Sequence, residues 1–316
     1  MSQPTRAQVH VNRPLTQMSI AYLQSENMFV AGKVFPVIPV QKQSDRYFVY
    51  TKGDWFRDDV KKRAPGSESA GGGFSIDNTP SYYADVYSLH KDVDDQTRQN
   101  ADIPLDMDRD ATRYVTQKHL LKREKVFVSN YMKTGVWGSD PVPATKWDAA
   151  GSHPISDVEN YKNTVHAATG FRPNTMVMTR DVFTTLKNHA DVIDRFKYTS
   201  ARVLTPEILA ALFELDKFLI VDAVENTALE GKTDAMDLIV KNSALLCYSN
   251  PAPSILQPSA GYTFQWVGLY GAGNNLAVIK KFRIEEIESD RIEGSMAWDQ
   301  KLVGSDLGVF INAILT

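Results

Sequence analysis

The sequence predicts an α+β fold, and three observations predict it. Dense aromatic and β-branched alternation is confined to a stretch after Ser44 and to the C-terminal part of the chain. One long helical periodicity stands between them, over about 106–134. Short helices alternate with short strands only within about 155–260, so α/β character is local to one subdomain.

The elements follow in order. Residues 1–28 read as an arm, because Pro4 and Pro14 oppose regular structure and apolar periodicity is weak. The segment MFVAGKVFPVIPVQ is apolar but broken by Pro36 and Pro39, which suits an extended segment on another surface and not a central strand. In SDRYFVYTKGDWFRDDV, Tyr47, Val49 and Thr51 alternate with Phe48 and Tyr50. In PSYYADVYSLHKDV, Tyr83, Asp85, Tyr87 and Leu89 share one face, with Tyr82, Ala84, Val86 and Ser88 on the other. Together these predict a long β-hairpin. Its connection, about 58–79, includes SESAGGGFSIDN and is longer than compact domains ordinarily carry, which marks it as functional or mobile.

The long helix follows, with Ala111, Tyr114, Val115, Leu121, Val128, Tyr131 and Met132 near helical spacing. Asp106, Asp108 and Asp110 crowd its N-terminus, where they cap and meet the dipole, and Gly135 suits a stop. A Pro- and Trp-containing loop leads to ISDVENYKNTVHAAT, an amphipathic helix ending at Gly170. NTMVMT is a short strand, RDVFTTLKNHADVIDRF is one helix or two, and KFLIVD and SALLCYS are buried strands. TPEILAALFEL is a helix with Thr205 as N-cap and Pro206 at its first position. The chain closes on alternating AVIKKFRIEEIESDRIEGSMAWDQKLV and on GVFINAIL.

Composition narrows the function classes. The 316 residues carry 35 basic and 38 acidic groups, a net charge of -3, with no basic block that would make a case for nucleic-acid binding. The single cysteine, Cys247, excludes an internal disulfide framework and sits in an apolar run, as an inert buried thiol would. The N-terminus lacks a signal peptide's apolar core, and no run approaches a membrane span, so a soluble protein made in a reducing cytoplasm is expected.

Candidate chemistry is thin. A phosphate loop needs Lys-Ser/Thr and a helix after its glycines, but Gly71, Gly72 and Gly73 are followed by Phe74 and Ser75. GAGNN, at 271–275, reads as a turn between strands. DMDRDA starts like a calcium loop, then departs from it at Ala111 and Gln117. HKDVDD sets His90 beside Asp92, Asp94 and Asp95 without a visible partner, which reads as a solvated hairpin base. The six histidines show no ligand spacing, and no G-x-S-x-G elbow is present. No catalytic residue, cofactor or metal is assigned, and the chain is read as a non-enzyme.

The order of parts carries more information than any motif. Arm, long hairpin, long helix, α/β subdomain and terminal β segment resemble, over nearly the whole chain, the major capsid protein of tailed bacteriophages with the HK97-like fold. The most specific stretch runs from Trp147 and Asp148 through Ser152, Pro154, Ile155, Gly170, Pro173, Asn174, Met176, Val177 and Met178. It continues through Leu186, His189, Val192, Asp194, Arg195 and Lys197. The resemblance implies an N-terminal arm at 1–42 and an extended loop, or E-loop, at 43–91. It implies a peripheral domain at 92–151 with its spine helix near 106–134, an axial domain at 152–262, and a return to the peripheral sheet at 263–316.

The implied function is mechanical: a virion shell protein, assembled in the host cytoplasm, that closes icosahedrally around double-stranded DNA. The implied partners are further copies of itself in hexamers and pentamers, with portal and scaffolding proteins. Decoration proteins remain open, and neither a membrane nor a specific nucleic-acid sequence is expected as partner. Hairpin aromatics would be odd on a monomer, so Tyr47, Phe48, Tyr50, Trp55, Phe56, Tyr82, Tyr83 and Tyr87 are expected to meet a neighbour. Arg57, Asp58, Asp59, Lys61, Lys62 and Arg63 suit inter-subunit salt bridges or a solvated tip, while Gly71, Gly72 and Gly73 supply reach. Some members of the family crosslink a hairpin lysine to an asparagine. Lys52, Lys61 and Lys62 lie in this hairpin, and no such bond is expected here. Two other readings stand beside this one: an encapsulin-like compartment shell around enzyme cargo, and an unrecognised α/β enzyme.

Overall fold

The structure is a computed structural model that describes residues 24–101, 105–196, 204–250, 257–270 and 277–316. Most of the expected arm, up to residue 23, and the expected turn at 271–275 lie outside the described residues.

The described chain begins with the helical turn α1 (Ala31–Val34) and strand β1 (Val37–Val40). The hairpin region holds β2 (Ser44–Arg46), β3 (Val49–Tyr50), the turn α2 (Lys52–Trp55), β4 (Ile76–Asp77) and β5 (Ser81–Tyr83). Then come β6 (Asp85–Asp94), α3 (Asp95–Asn100) and the long α4 (Met107–Tyr131). The α/β part runs α5 (Pro154–Thr169), β7 (Thr175–Thr179), α6 (Arg180–Lys187), α7 (Ala190–Phe196), α8 (Pro206–Leu212) and β8 (Lys217–Val221). It continues with β9 (Val224–Asn226), β10 (Met236–Leu238) and β11 (Ser243–Cys247). The chain ends with β12 (Gly261–Trp266), β13 (Val278–Ile284), β14 (Ser289–Leu302) and β15 (Gly308–Asn312).

Two sheets organise the molecule. In the peripheral sheet, β14 pairs antiparallel with β6, β12 and β13, and β1 adds in parallel to β12. Trp298 stands between Asp85 of β6 and Gln265 of β12, so β12 and β13 occupy successive lengths of the edge of β14 opposite β6. The second sheet, named the axial sheet after the domain expected there, has the order β15-β11-β7-β8, with β7 and β8 parallel; β15 therefore departs from the expectation that 263–316 return to the peripheral sheet, because it pairs with β11. Every residue of β7 and β11 is buried, as in a sheet covered on both faces. Alternation divides them between two cores. Met176, Met178, Ala244 and Leu246 pack with Val158, Val165, Leu186, Leu209 and Phe213. Val177, Leu245 and Cys247 pack with Phe35, Phe127, Trp137 and Phe310. Burial pushes the Cys247 thiol up to about 12, which makes it an inert core group.

The expected helix near 106–134 is α4, with Asp106 as N-cap accepting from the Arg109 N–H at 3.1 Å. Its 25 residues span about 38 Å and lie across β6 and β14. Contact is close at Gly294, where a Cβ would fall 2.3 Å from Val115 Cγ1. His119 Nε2 donates to the Gly294 carbonyl at 2.9 Å across the same interface. The helix ends at Tyr131, and Gly135, at φ +80°, turns the chain away.

The structure sharpens three expectations. First, residues 29–35, in the segment expected to lie on another surface, are packed into the core of the same chain. Phe29, Val30, Ala31, Val34 and Phe35 are buried, and β1 is an edge strand, where Pro39 costs no ladder bond. A buried carboxylate fastens them: Glu124 Oε2 accepts the N–H groups of Val30 and Ala31, both at 2.9 Å. Burial raises the Glu124 carboxyl above its ordinary value, and the two N–H bonds oppose this. Second, the stretch expected as one helix or two is two, α6 and α7, with His189 at the break. Third, the long hairpin is shorter than 43–91. Ladder pairing between its arms ends at Ser44 and Tyr83, and the strand beyond joins the peripheral sheet as β6.

The helix-to-sheet contact at Gly294 yields a test. The Gly294→Ala variant should lose about 1–3 kcal/mol, because the added methyl must displace Val115 from a filled layer. Thermal and urea unfolding measure this.

Candidate assembly surface

The hairpin stands on a short ladder. Ser44, Asp45 and Arg46 oppose Tyr83, Tyr82 and Ser81, and Val49 and Tyr50 oppose Asp77 and Ile76. Its root is stacked on its own subunit. Tyr82 lies parallel to Phe264 at 4.5 Å, Tyr47 stacks on the same ring at 5.6 Å, and Tyr87 stacks on Trp298 at 4.8 Å. Tyr82 is 6% exposed. Tyr47, Tyr82 and Tyr87 thus have partners within the chain: Tyr82 on β5 and Tyr87 on β6 reach the peripheral sheet from one arm, and Tyr47, between β2 and β3, reaches it from the other.

The tip is different. Trp55 and Phe74 meet at 5.6 Å, Tyr50 and Phe74 at 5.9 Å, and Tyr50 and Trp55 at 6.0 Å. Trp55 is 56%, Phe56 64% and Phe74 59% exposed. Phe48, Ile76 and Tyr83 are exposed as well. Asp54 holds the two arms of the tip together: its Oδ2 accepts the Ser75 N–H at 3.0 Å and lies 2.8 Å from the Ser75 hydroxyl. These bonds hold the Asp54 carboxyl below its ordinary value. Phe74 and Ile76 were missing from the sequence candidates, although the alternation Phe74, Ile76 after the glycines was a usable signal.

The charged candidates divide. Arg57 lies 3.9 Å from Asp54, and Arg63 donates to the Ser67 carbonyl. Lys61 and Lys62 have no carboxylate within ion-pair distance among the described residues, and both are exposed. A Cβ on Gly71 or Gly73 would meet nothing within 4 Å, and on Gly72 only the Asp59 side chain. None of the three has positive φ. No local turn or close approach demands them.

The acidic run at the foot of β6 is built into ion pairs and is not a solvated base. Asp92 takes the Arg291 guanidinium bidentately at 2.7 and 2.8 Å, and Asp95 takes Arg283 at 2.7 and 2.6 Å. Asp94 caps α3 through the Thr97 N–H at 2.7 Å. Asp290 completes the cluster with Arg98 at 2.9 Å and Lys281 at 3.2 Å. The Arg291 bonds lower the Asp92 carboxyl, the Arg283 bonds lower Asp95, and the Lys281 bond lowers Asp290. Among the described residues, no group of three or more His, Cys, Asp and Glu could hold a metal ion, and no helix is long and apolar enough to cross a membrane.

One Ser–His pair calls for a chemical reading. Ser152 Oγ lies 2.8 Å from His189 Nε2 and 2.7 Å from the Ala149 carbonyl. His189 Nδ1 accepts the Asp191 N–H at 3.2 Å, so the ring proton is on Nε2 and is donated to Ser152. The serine gives its own proton to Ala149. With Nε2 protonated, His189 is no base for Ser152, and the pair is a clasp between the loop before α5 and the break before α7.

The model of the family described as phage major capsid protein E matches residues 140–250. The major capsid protein of Burkholderia phage BcepMu is 26% identical over 309 residues, covering 96% of each chain. A phage-related protein from Bordetella bronchiseptica superposes with a TM-score of 0.69 at 22% identity, over 92% of this chain and 93% of that one. The capsid of cyanophage P-SCSP1u gives 0.57 at 10% identity, over 100% and 99%. The chain has the HK97-like capsid fold, and its sequence is similar to that of a phage major capsid protein. An encapsulin from Synechococcus elongatus shares the fold at a TM-score of 0.52 and 11% identity, over 96% and 94%.

The capsid-family match falls on the axial sheet and its helices, where the quoted motif residues meet. Trp147 is fully buried and donates Nε1–H to Asp157 at 3.0 Å. Asn174 accepts the Ser249 N–H at 2.9 Å and donates to the Ser249 carbonyl at 3.0 Å, which ties β7 to the end of β11. Gly170, at φ +76°, closes α5. Each of these three contacts serves the fold.

The ion pairs beside β14 set an acid limit. The folded-state values of Asp92, Asp95 and Asp290 lie below the ordinary 3.8, so their stabilisation is fully present above about pH 4 and is lost as pH falls further. The thermal midpoint should fall steeply below about pH 4. The Arg291→Met variant should melt lower than wild type at pH 7 and converge with it toward pH 3, followed by circular dichroism.

Proposed function

We infer that this protein is the major shell subunit of a phage head. Many copies close into an icosahedral shell around double-stranded DNA. The capsid fold supports this, and one observation carries it to the residues: a hairpin tip where Trp55 and Phe74, leaning on half-buried Tyr50, leave more than half of their surface in solvent. Covering the exposed halves of Trp55 and Phe74 would remove about 100 Å² apiece from water, about 2–3 kcal/mol each. The contact recurs at every subunit, so a modest term per copy closes a large structure. Copies of the chain in hexamers and pentamers are the principal partners. Portal and scaffolding proteins are the proposed auxiliary ones, with assembly in the host cytoplasm and the virion as destination. Among the charged candidates, Lys61 and Lys62 are proposed to meet carboxylates of a neighbour, since no carboxylate among the described residues of their own chain lies within ion-pair distance.

Expression of the chain followed by negative-stain microscopy tests the reading. Uniform closed shells are expected, and a compact monomer under every assembly condition would overturn it. The genes beside it separate a phage head from a cargo compartment: portal and terminase genes are expected, not a cargo enzyme. The double variant Trp55→Ser, Phe74→Ser should leave the subunit melting point within a few degrees of wild type and abolish shells. Replacing Gly71, Gly72 and Gly73 by alanine should leave subunit folding nearly intact and impair closure. Normal shells from that variant would remove any assembly role for the glycines.

A further inference from the structure

The tip also touches its own subunit, through groups that the aromatic trio does not use. Lys52 opens the single turn α2 and Phe56 follows it, four residues on, so both emerge on one side of the turn. Lys52 Nζ pairs with the carboxylate of Asp306, in the 3-10 turn Ser305–Leu307 that precedes β15. That turn is held in place, since Gly138 N–H donates to the Ser305 carbonyl at 2.9 Å. The Phe56 ring lies over Gly170, the residue that closes α5. A Cβ at Gly170 would sit 3.0 Å from Phe56 Cζ and 3.1 Å from Cε1. The hairpin tip is thus bound at two points, one ionic and one apolar, both on the body of its own chain.

We propose that these two contacts form a latch that holds the hairpin of an unassociated subunit against its own body and opens when the hairpin engages a second copy of the chain. The second half of this rests on the shell reading, while the first half stands without it. The strength of the contacts decides the direction. The ion pair is about half exposed on both sides, at 50% and 48%. Such pairs contribute little in water and less in salt. Phe56 keeps most of its ring in solvent despite its seat on Gly170. A neighbour that covered Trp55, Phe56 and Phe74 together would bury more apolar surface than the latch does. The latch therefore positions the hairpin while the subunit is free and yields on association, and its strength subtracts from that of assembly.

The test uses the full chain in two forms, free subunits and assembled shells. A water-soluble carbodiimide joins an amine to a carboxylate only where the two are in contact, and mass spectrometry of the digest locates the bond. A Lys52–Asp306 crosslink is expected in free subunits and should be at least about fivefold weaker in shells. In parallel, Lys52→Glu should shorten the assembly lag by about two- to fivefold, the range an exposed ion pair spans. The double variant Lys52→Glu, Asp306→Lys should restore it. A crosslink absent from free subunits, or equally abundant in shells, overturns the latch, as does an unchanged lag in Lys52→Glu. Absence of shells under every condition would count against the shell reading alone, with the free-subunit crosslink still deciding whether the tip is docked.

Discussion

The peripheral half of the molecule depends on one strand. β14 is 14 residues long and is paired along both edges, with β6 on one side and β12 then β13 on the other. Its length lets it take the root of the hairpin, through β6, and the chain's first strand, through β12, into a single sheet. The spine helix α4 can lie flat on it only because Gly294 presents no side chain to Val115 and His119. Where β14 is interrupted or bent, the hairpin loses its foundation, since Tyr87 stacks on Trp298 and the Tyr83 N–H donates to Asp299. The direction in which the tip points is thus set by a strand two hundred residues further along the chain.

The axial sheet adds a second constraint. Its central strands are buried on both faces, and successive residues serve different cores. Met176 and Met178 face the helices α5, α6 and α8, while Val177 faces Phe35, Phe127 and Trp137. The sheet is a shared wall between the axial helices and the C-terminal half of the spine helix. Protein interiors are too densely packed for such a wall to shift on one side only. The sheet therefore ties the two cores into one packed unit. Outside that unit, the tip glycines Gly71, Gly72 and Gly73 are unconstrained by sterics or backbone sign.

Local signals made most of the elements legible. Asp106 before α4, Pro206 at the start of α8, Gly170 after α5 and the apolar run of β11 all act within a few residues, and each fell where its chemistry placed it. Non-local pairings were not legible. The alternation from Tyr82 to Val93 correctly marked a strand, but nothing within it says that its outer half pairs with residues 289–298 and not with the hairpin's first arm. The stacking of Tyr87 on Trp298 was hidden for that reason, and that of Tyr47 and Tyr82 on Phe264 because β12 lies some 180 residues or more further along the chain. The same limit hid the capping of residues 30 and 31 by Glu124. A glutamate in mid-helix looks solvated until a distant segment brings its N–H groups. At the site, Trp55 and Phe56 were legible as exposed aromatics in a polar stretch, and Phe74 was legible in the same way from its alternation with Ile76.

The surface of the tip is better explained by two competing states than by one. A large exposed aromatic group is a liability on a soluble chain unless something covers it some of the time. Here the covering is divided. Phe56 and Lys52 face the chain's own body, while Trp55 and Phe74 lean on each other and on Tyr50. A stronger self-contact, such as a buried pair or a fully inserted ring, would protect the subunit and also hold the hairpin back from any neighbour. A weaker one would leave an untethered loop of some 25 residues, whose ordering on association would cost about 1 kcal/mol or more for each residue newly fixed. The Asp54–Ser75 tie, the aromatic trio and the solvated ion pair lie between these limits. They order the tip before a partner arrives, and so reduce the entropy lost on binding, while keeping the contact weak enough to exchange.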